Sequence, residues 1–147
     1  MATGLYYMDE IITDKNLLMV KSRPVTIEEI EALNLKERLK SAASKAWTVG
    51  LGLAAVQIGE PVCFAWYKWA NEDHYLINPK IVEYIGKWKM LTEGCLSIPH
   101  KNTLVKRAYK IKYISDGKLF TAKGQRAQII QHEIGHMNGK LIGYKGE

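Results

Sequence analysis

Apolar residues recur at helical spacing between residues 27 and 46, at Ile27, Ile30, Leu33, Leu39, Ala42 and Ala46. A period near 3.6 predicts an amphipathic helix. Thr26, with Glu29 three residues on, reads as a capping box that starts it, and Gly50 and Gly52 end it. Short strand-like runs follow at residues 62–67, 81–85, 104–107 and 111–115. Asp116-Gly117 predicts a tight hairpin turn into a further strand at 119–122. From about residue 124 to 138 the helical period returns, and Gly139 fits the position just past a helix end. A helix, then several strands, then a helix, without alternation, predicts an α+β fold with antiparallel sheets. The first 23 residues show no clear pattern. A chain of 147 residues, at about 150 per domain, predicts one domain spanning 1–147.

Composition narrows this picture only slightly. With 47% apolar and 24% charged residues, a disordered or fibrous chain is excluded. The net charge of +6 and several Tyr and Trp residues raise the possibility of a nucleic-acid binder. The aromatics lie in strand-like runs among apolar neighbours, however, which predicts core packing rather than base stacking, so no direct nucleic-acid recognition is expected. The start of the chain lacks a basic segment followed by an apolar run, and no apolar stretch approaches the roughly 20 residues needed to span a bilayer. A cytoplasmic protein with no membrane contact is expected. Of the two cysteines, Cys63 sits in an apolar run and reads as a buried, inert thiol; Cys95 lies between strand-like segments.

The chemistry concentrates in His132-Glu133-Ile134-Gly135-His136, an H-E-x-x-H pattern in a predicted helix. Residues four apart share a helical face, so both imidazoles can reach one metal ion. Glu133 sits about 100° around the helix from His132. From there it can reach a water beside the metal without ligating, as a general base must. Catalytic sites of this kind use three protein ligands. The third candidates are Cys95, His74, His100 and the carboxylates; His74, in a polar segment, and His100, after Pro99, read as surface residues.

Gly50-Leu51-Gly52-Leu53-Ala54-Ala55-Val56-Gln57 partly fits a dinucleotide fingerprint. That fingerprint needs a strand before it and a helix after. Here a helical pattern precedes and Pro61 follows, so nucleotide binding is rejected. The glycines instead suit a close backbone approach, and the Gln57 amide is a candidate donor to developing negative charge.

These segments, with Glu93-Gly94-Cys95-Leu96-Ser97 and Gln131-His132-Glu133-Ile134-Gly135-His136, stand in the order and spacing that resembles the peptide deformylases. The resemblance runs from about Pro24 to Tyr144. It implies antiparallel sheets around a central metal-binding helix, and removal of the formyl group from N-formylmethionyl nascent peptides. It implies iron(II) in the cell, with zinc or nickel as replacements, held by Cys95, His132 and His136. Glu133 would be the base, with Gln57 and the backbone N–H of Leu96 as oxyanion donors. Gly50, Leu51 and Gly52 would pair with the peptide, beside Glu93 and Gly94. Leu51, Leu91, Ile129 and His132 would surround the methionine side chain, and Arg107 would give structural support.

Three features depart from the family pattern. Gly135 stands where its motif usually reads Asp, so Arg107 is expected to pair with Glu93 alone. Gln125 and Gln128 occupy positions that are usually apolar. The chain ends soon after the metal helix, without the ribosome-docking helix of some members, so any ribosome contact would be a weak one through basic surface. A monomer is expected. Two other readings compete. An H-E-x-x-H peptidase usually takes a downstream ligand, but the 11 residues after His136 hold no histidine and, besides Glu147, no carboxylate. A non-catalytic module with a structural metal would normally close its site with four protein ligands.

Overall fold

The computed structural model describes residues 7–144. Helices α1 (Lys15–Leu18), α2 (Ile27–Ala32) and α3 (Leu35–Ser44) come first, then strand β1 (Gly52–Ala54) and a 3-10 turn (Ala55–Ile58). Strands β2 (Phe64–Trp69), β3 (Glu72–Ile77), β4 (Lys80–Cys95), β5 (Ile98–Ser115) and β6 (Lys118–Lys123) lead into helix α4 (Gly124–Met137). The strands form two antiparallel sheets in the orders β1-β2-β3 and β4-β5-β6. Helix α4 packs against β1 and β2 of one sheet and β5 and β6 of the other, so the metal-motif helix is central, as expected. Its core face places Ala127, Ile130 and Ile134 in one apolar cluster with Tyr67, Ile111 and Tyr113.

Local signals explain several boundaries. The Thr26 hydroxyl accepts the Glu29 N–H at 3.1 Å while the Glu29 carboxylate accepts the Thr26 N–H at 3.1 Å, closing the capping box. Asp116 and Gly117, with φ of 52° and 74°, form a two-residue turn between β5 and β6 of the kind whose twist suits a hairpin. At the end of α4 the Lys140 N–H bonds to the Gly135 carbonyl and the Gly139 N–H to the His136 carbonyl. With Gly139 at φ 77°, this is a Schellman stop.

Four expectations need correction. The predicted single helix over 27–46 is two helices, because Asn34 adopts a left-handed conformation (φ 52°) between them, which Asn tolerates better than other non-Gly residues. The runs at 104–107 and 111–115 are parts of one strand, and that at 81–85 is part of another; main-chain pairing along the β4–β5 hairpin continues through polar residues. His74 is not a surface turn residue: it lies on β3, half-buried, stacked on the Tyr67 ring at 5.1 Å. The aromatics divide. Phe64, Trp66, Tyr67 and Tyr113 are buried as predicted, but Tyr84, Trp88, Tyr109 and Phe120 are 41–50% exposed on β4–β6. Cys63 lies just before β2, half-buried, and burial raises its thiol pKa.

An arginine ties the N-terminal segment to the helices. Arg38 on α3 donates to both carboxylate oxygens of Asp9 at 2.8 and 2.9 Å and to Glu60 at 2.8 Å. The hydrogen bonds from Arg38 outweigh burial and lower the Asp9 pKa below its usual 3.8. A lowered folded-state pKa means stability that is present at neutral pH and lost as pH falls through that value. Asp9→Asn is therefore expected to destabilise by about 1–2 kcal/mol at neutral pH. Urea unfolding should show this difference shrinking below about pH 4. Among the described residues, no helix is long and apolar enough to cross a membrane.

Candidate metal centre

Helix α4 presents Ile129, His132 and Glu133 to a cavity, and His136 is buried one turn on from His132. Residues 132 and 136 are one helical turn apart, so their rings converge: His136 Nε2 lies 3.2 Å from His132 Nε2. Strand β4 ends at Cys95, whose Sγ lies 3.5 Å from His136 Nε2. The three donor atoms fall within 4.8 Å of one another, and no other such group of three forms among the described residues. Without an ion, one ring can donate its proton to the other's lone pair; with both Nε2 atoms unprotonated, both can direct lone pairs at one cation. A thiolate and two imidazoles suit a borderline or soft divalent metal. The donor set thus fits the expected group, and three ligands leave a coordination position open.

A relay of buried charges orients the first ligand. His132 Nδ1 lies 2.9 Å from Glu93 Oε1. A carboxylate only accepts, so Nδ1 carries the proton and Nε2 keeps its lone pair for the metal. Arg107 clamps the same carboxylate with two bonds of 2.8 Å. Burial alone would raise the Glu93 pKa, but the hydrogen bonds from Arg107 and His132 outweigh it and hold it near 2. The two rings are pushed apart electrostatically. Burial disfavours charge on His132, yet its bonds to Cys95 and Glu93 win and raise its pKa well above the usual value. Burial and the neighbouring His132 depress that of His136.

Glu133 is buried on the same face, and its Oε1 has no hydrogen-bond partner among the described residues. Burial pushes its carboxyl up to about 7, against the pull of His132. A cation beside it would draw this value down. The carboxylate faces a cavity of about 730 Å³, lined by α4 on one side and by β1 and the end of β4 on the others. The cavity joins Gly50, Leu51, Gly52, Gln57, Glu93 and Gly94 to Cys95, Leu96, Ile129, His132 and Glu133.

The sequence model of the family described as Polypeptide deformylase matches residues 8–145. The chain belongs to the polypeptide deformylase family. It is 39% identical to the peptide deformylase of Mesorhizobium japonicum over 142 residues, covering 90% of this chain and 80% of that protein. It is 34% identical to that of Dictyoglomus thermophilum, covering 84% of each. The fold is similar to the crystal structure of peptide deformylase from Thermotoga maritima, with a TM-score of 0.81 and 29% identity over 92% of this chain and 95% of that one. It is also similar to a probable peptide deformylase from Synechococcus phage S-SSM7, with a TM-score of 0.79 and 30% identity over 92% and 97%. The activity is that of the family, a hydrolase removing N-formyl groups from nascent peptides.

Within this deformylase fold the glycines have a steric reason. A Cβ on Gly50 would lie 2.5 Å from Leu96 Cδ1, and one on Gly52 would lie 2.6 Å from Glu133 Oε2 and 3.1 Å from the Trp66 carbonyl. Gly52 therefore lets β1 run against the carboxylate. Gly52→Ala should displace Glu133 and lower kcat by about a hundredfold, since misplacement of about 1 Å can cost that much. Steady-state formate release checks this; bound metal, read by elemental analysis, should stay near one per chain. Among the described residues β1 is an edge strand, paired only with β2.

Gln57 is buried and fixed: its Oε1 accepts the Ala54 N–H at 2.9 Å, and its Nε2 donates to Ser97 Oγ at 2.9 Å while lying 3.7 Å from Cys95 Sγ. Its amide NH₂ thus stands beside the ligand cluster. Leu91 is half-buried and does not line the cavity. Arg107 does not line it either; it is buried behind Glu93. His100 lies on the rim, exposed and against Trp47 at 4.7 Å. Gln125 and Gln128 both line the cavity, and Gln128 Nε2 approaches the Thr92 carbonyl at 3.5 Å.

Three supporting residues escaped the sequence reading. Ser97 holds the Gln57 amide. Trp47 donates its indole N–H to the Leu96 carbonyl at 3.0 Å. Gln131 bonds both the N–H (3.0 Å) and the carbonyl (2.9 Å) of Ala108, joining α4 to β5. Ser97 and Gln131 stand at the ends of the recognised motifs, but nothing in spacing reveals what they touch.

Proposed function

We propose that the chain binds one divalent transition metal, iron(II) in the cell with zinc or nickel as replacements, and hydrolyses the formyl amide of N-formylmethionyl nascent peptides. Cys95, His132 and His136 would hold the metal. When bound, it supplies a Lewis acid that acidifies water and polarises the formyl oxygen. Glu133 takes the proton from the attacking water and delivers it to the departing amine. The Gln57 amide and the Leu96 N–H donate to the oxyanion that develops on the formyl group. Gly50, Leu51 and Gly52 bind the peptide main chain as an added strand on the open edge of β1, with Glu93 and Gly94 on the facing wall. Main-chain pairing carries little side-chain selectivity, so tolerance beyond the first residue follows. The methionine side chain lies against Leu51, Ile129 and His132, with Leu91 behind them, and Gln125 and Gln128 make that pocket's outer end polar. Arg107 acts through Glu93 to keep the His132 ring in its ligating orientation.

The observation that carries this reading is the position of Glu133, buried beside three converging ligand atoms and facing a cavity bordered by an unpaired strand edge. A peptidase or a non-catalytic metal module finds no support in the comparisons. The protein would work as a single domain and a monomer in the cytoplasm, with a weak ribosome contact through its basic surface. The test is formate release from a short formyl-Met peptide by protein prepared without oxygen and loaded with iron(II) or nickel. Release is expected from the formyl peptide and not from its acetyl analogue. A folded, metal-loaded protein that releases no formate would overturn the reading.

A further inference from the structure

The positive charge of the chain is concentrated in one sheet. Residues 80–123 hold nine lysines and one arginine against three acidic residues, a net +7 that exceeds the +6 of the whole chain. Two of the three acids are already paired within the segment, Glu83 with Lys112 and Glu93 with Arg107, and Asp116 lies in the far turn. The β4–β5 register shifts between Ile85 and Trp88, with Gly86 at φ 83°. Around this bulge stand Lys87, Lys89, Lys106 and Lys110, with Lys140 at the exit of α4. None of the five has an ion-pair partner among the described residues.

The same region exposes aromatic rings. Tyr84, Trp88 and Tyr109 are each about half exposed. The Tyr84 and Trp88 rings are 5.0 Å apart, and Lys106 Nζ lies 5.7 Å from the Trp88 ring centroid. Tyr84, Trp88, Lys106 and Lys140 edge a second cavity, of about 240 Å³, which reaches Gly135 on α4. It shares no lining residue with the metal cavity. On the α4 side Gln131, Ile134 and Asn138 line it beside Gly135, which adds no side chain of its own.

We infer that the bulge region of β4–β5 binds single-stranded RNA, with a base stacked on Trp88 and the phosphodiester backbone held by the surrounding lysines. Rings interleaved with unpaired cations match the alternation of base and phosphate; Val82, Met90 and Leu104 are also exposed on these two strands, so anionic vesicles are the competitor that the test must separate. The expectation that the aromatics are all core residues removed this reading at the level of sequence; their exposure restores it. The choice of RNA over DNA rests on the proposed function, since a formylated chain is met while it is being made.

The test is fluorescence anisotropy of a labelled oligouridylate of about twelve nucleotides titrated with the full chain. Binding should weaken steeply between about 50 and 200 mM salt, with a log–log slope of about −3 for four phosphates. Trp88→Ala should weaken it by about tenfold. Lys87→Gln, Lys89→Gln and Lys106→Gln together should reduce the magnitude of the slope by about 2. Both variants should release formate from formyl-Met peptide at the wild-type rate, because none of the substituted residues lines the metal cavity. Absence of binding at low salt would overturn the inference. So would binding unaffected by Trp88→Ala, tighter binding of the matched oligodeoxynucleotide, or binding of anionic vesicles instead of RNA. Loss of formate release in the wild type with RNA binding intact would instead overturn the proposed function and leave this surface standing.

Discussion

Glu133→Gln lowers formate release by about a thousandfold at saturating peptide, within the range expected when a general base is removed. The substitution keeps the side chain's size, so the wall against Gly52 is undisturbed. It also removes a carboxyl whose Oε1 is buried without a partner among the described residues. Thermal stability should therefore hold or rise slightly, as when a strained functional group is relaxed. Metal content should be unchanged, because Glu133 is not among the proposed donors Cys95, His132 and His136. Elemental analysis beside single-turnover formate release reads both quantities. If metal is lost together with activity, Glu133 is a ligand and its assignment as the base fails.

The second large effect is expected at Arg107, which never meets the peptide. Arg107→Ala leaves the Glu93 carboxylate buried with His132 as its remaining partner among the bonds described above. Breaking one side of a buried ion pair costs about 3–5 kcal/mol. In a chain of this size that is a fall in Tm of roughly 10 °C. Metal affinity should drop by about 10–100-fold, because His132 loses its orienting support. The combination Arg107→Met with Glu93→Gln separates these effects. It removes both charges, so stability should largely return, while metal affinity stays low because His132 no longer meets an anion. Calorimetric unfolding and competitive metal titration measure the two. Recovery of both together would show that Glu93 only fills space.

The site was legible in the sequence to an unusual depth because its chemistry is local. His132, Glu133 and His136 are placed by one helical turn, and helical period alone sets which of them share a face. Cys95 is different. From the residues alone it was one of several candidate third ligands, and the family resemblance singled it out. The structure places it beside the histidines because β4 ends there, held by pairing with β5. Thr26 with Glu29 and Asp116 with Gly117 were readable for the same local reason. His74 and the aromatics of β4–β6 were not, because whether a strand face is covered depends on what packs over it.

What the sequence by itself determined was the α+β class, the capping box that starts α2, the glycine stop after α4, and the identity of the metal-motif helix. Each follows from interactions within a few residues of chain. Gly50 and Gly52 do not end a helix, because α3 already stops at Ser44. Only the tertiary structure decided that Gly52 must lack a side chain to admit Glu133, that Arg107 supports His132 through Glu93, and that Gln57 is held by Ser97. It also decided that Leu91 does not line the cavity and that Trp88 is half exposed. Each of these is a contact between residues far apart in the chain. Such contacts are set by how two sheets and a helix pack together, which no local period or spacing encodes.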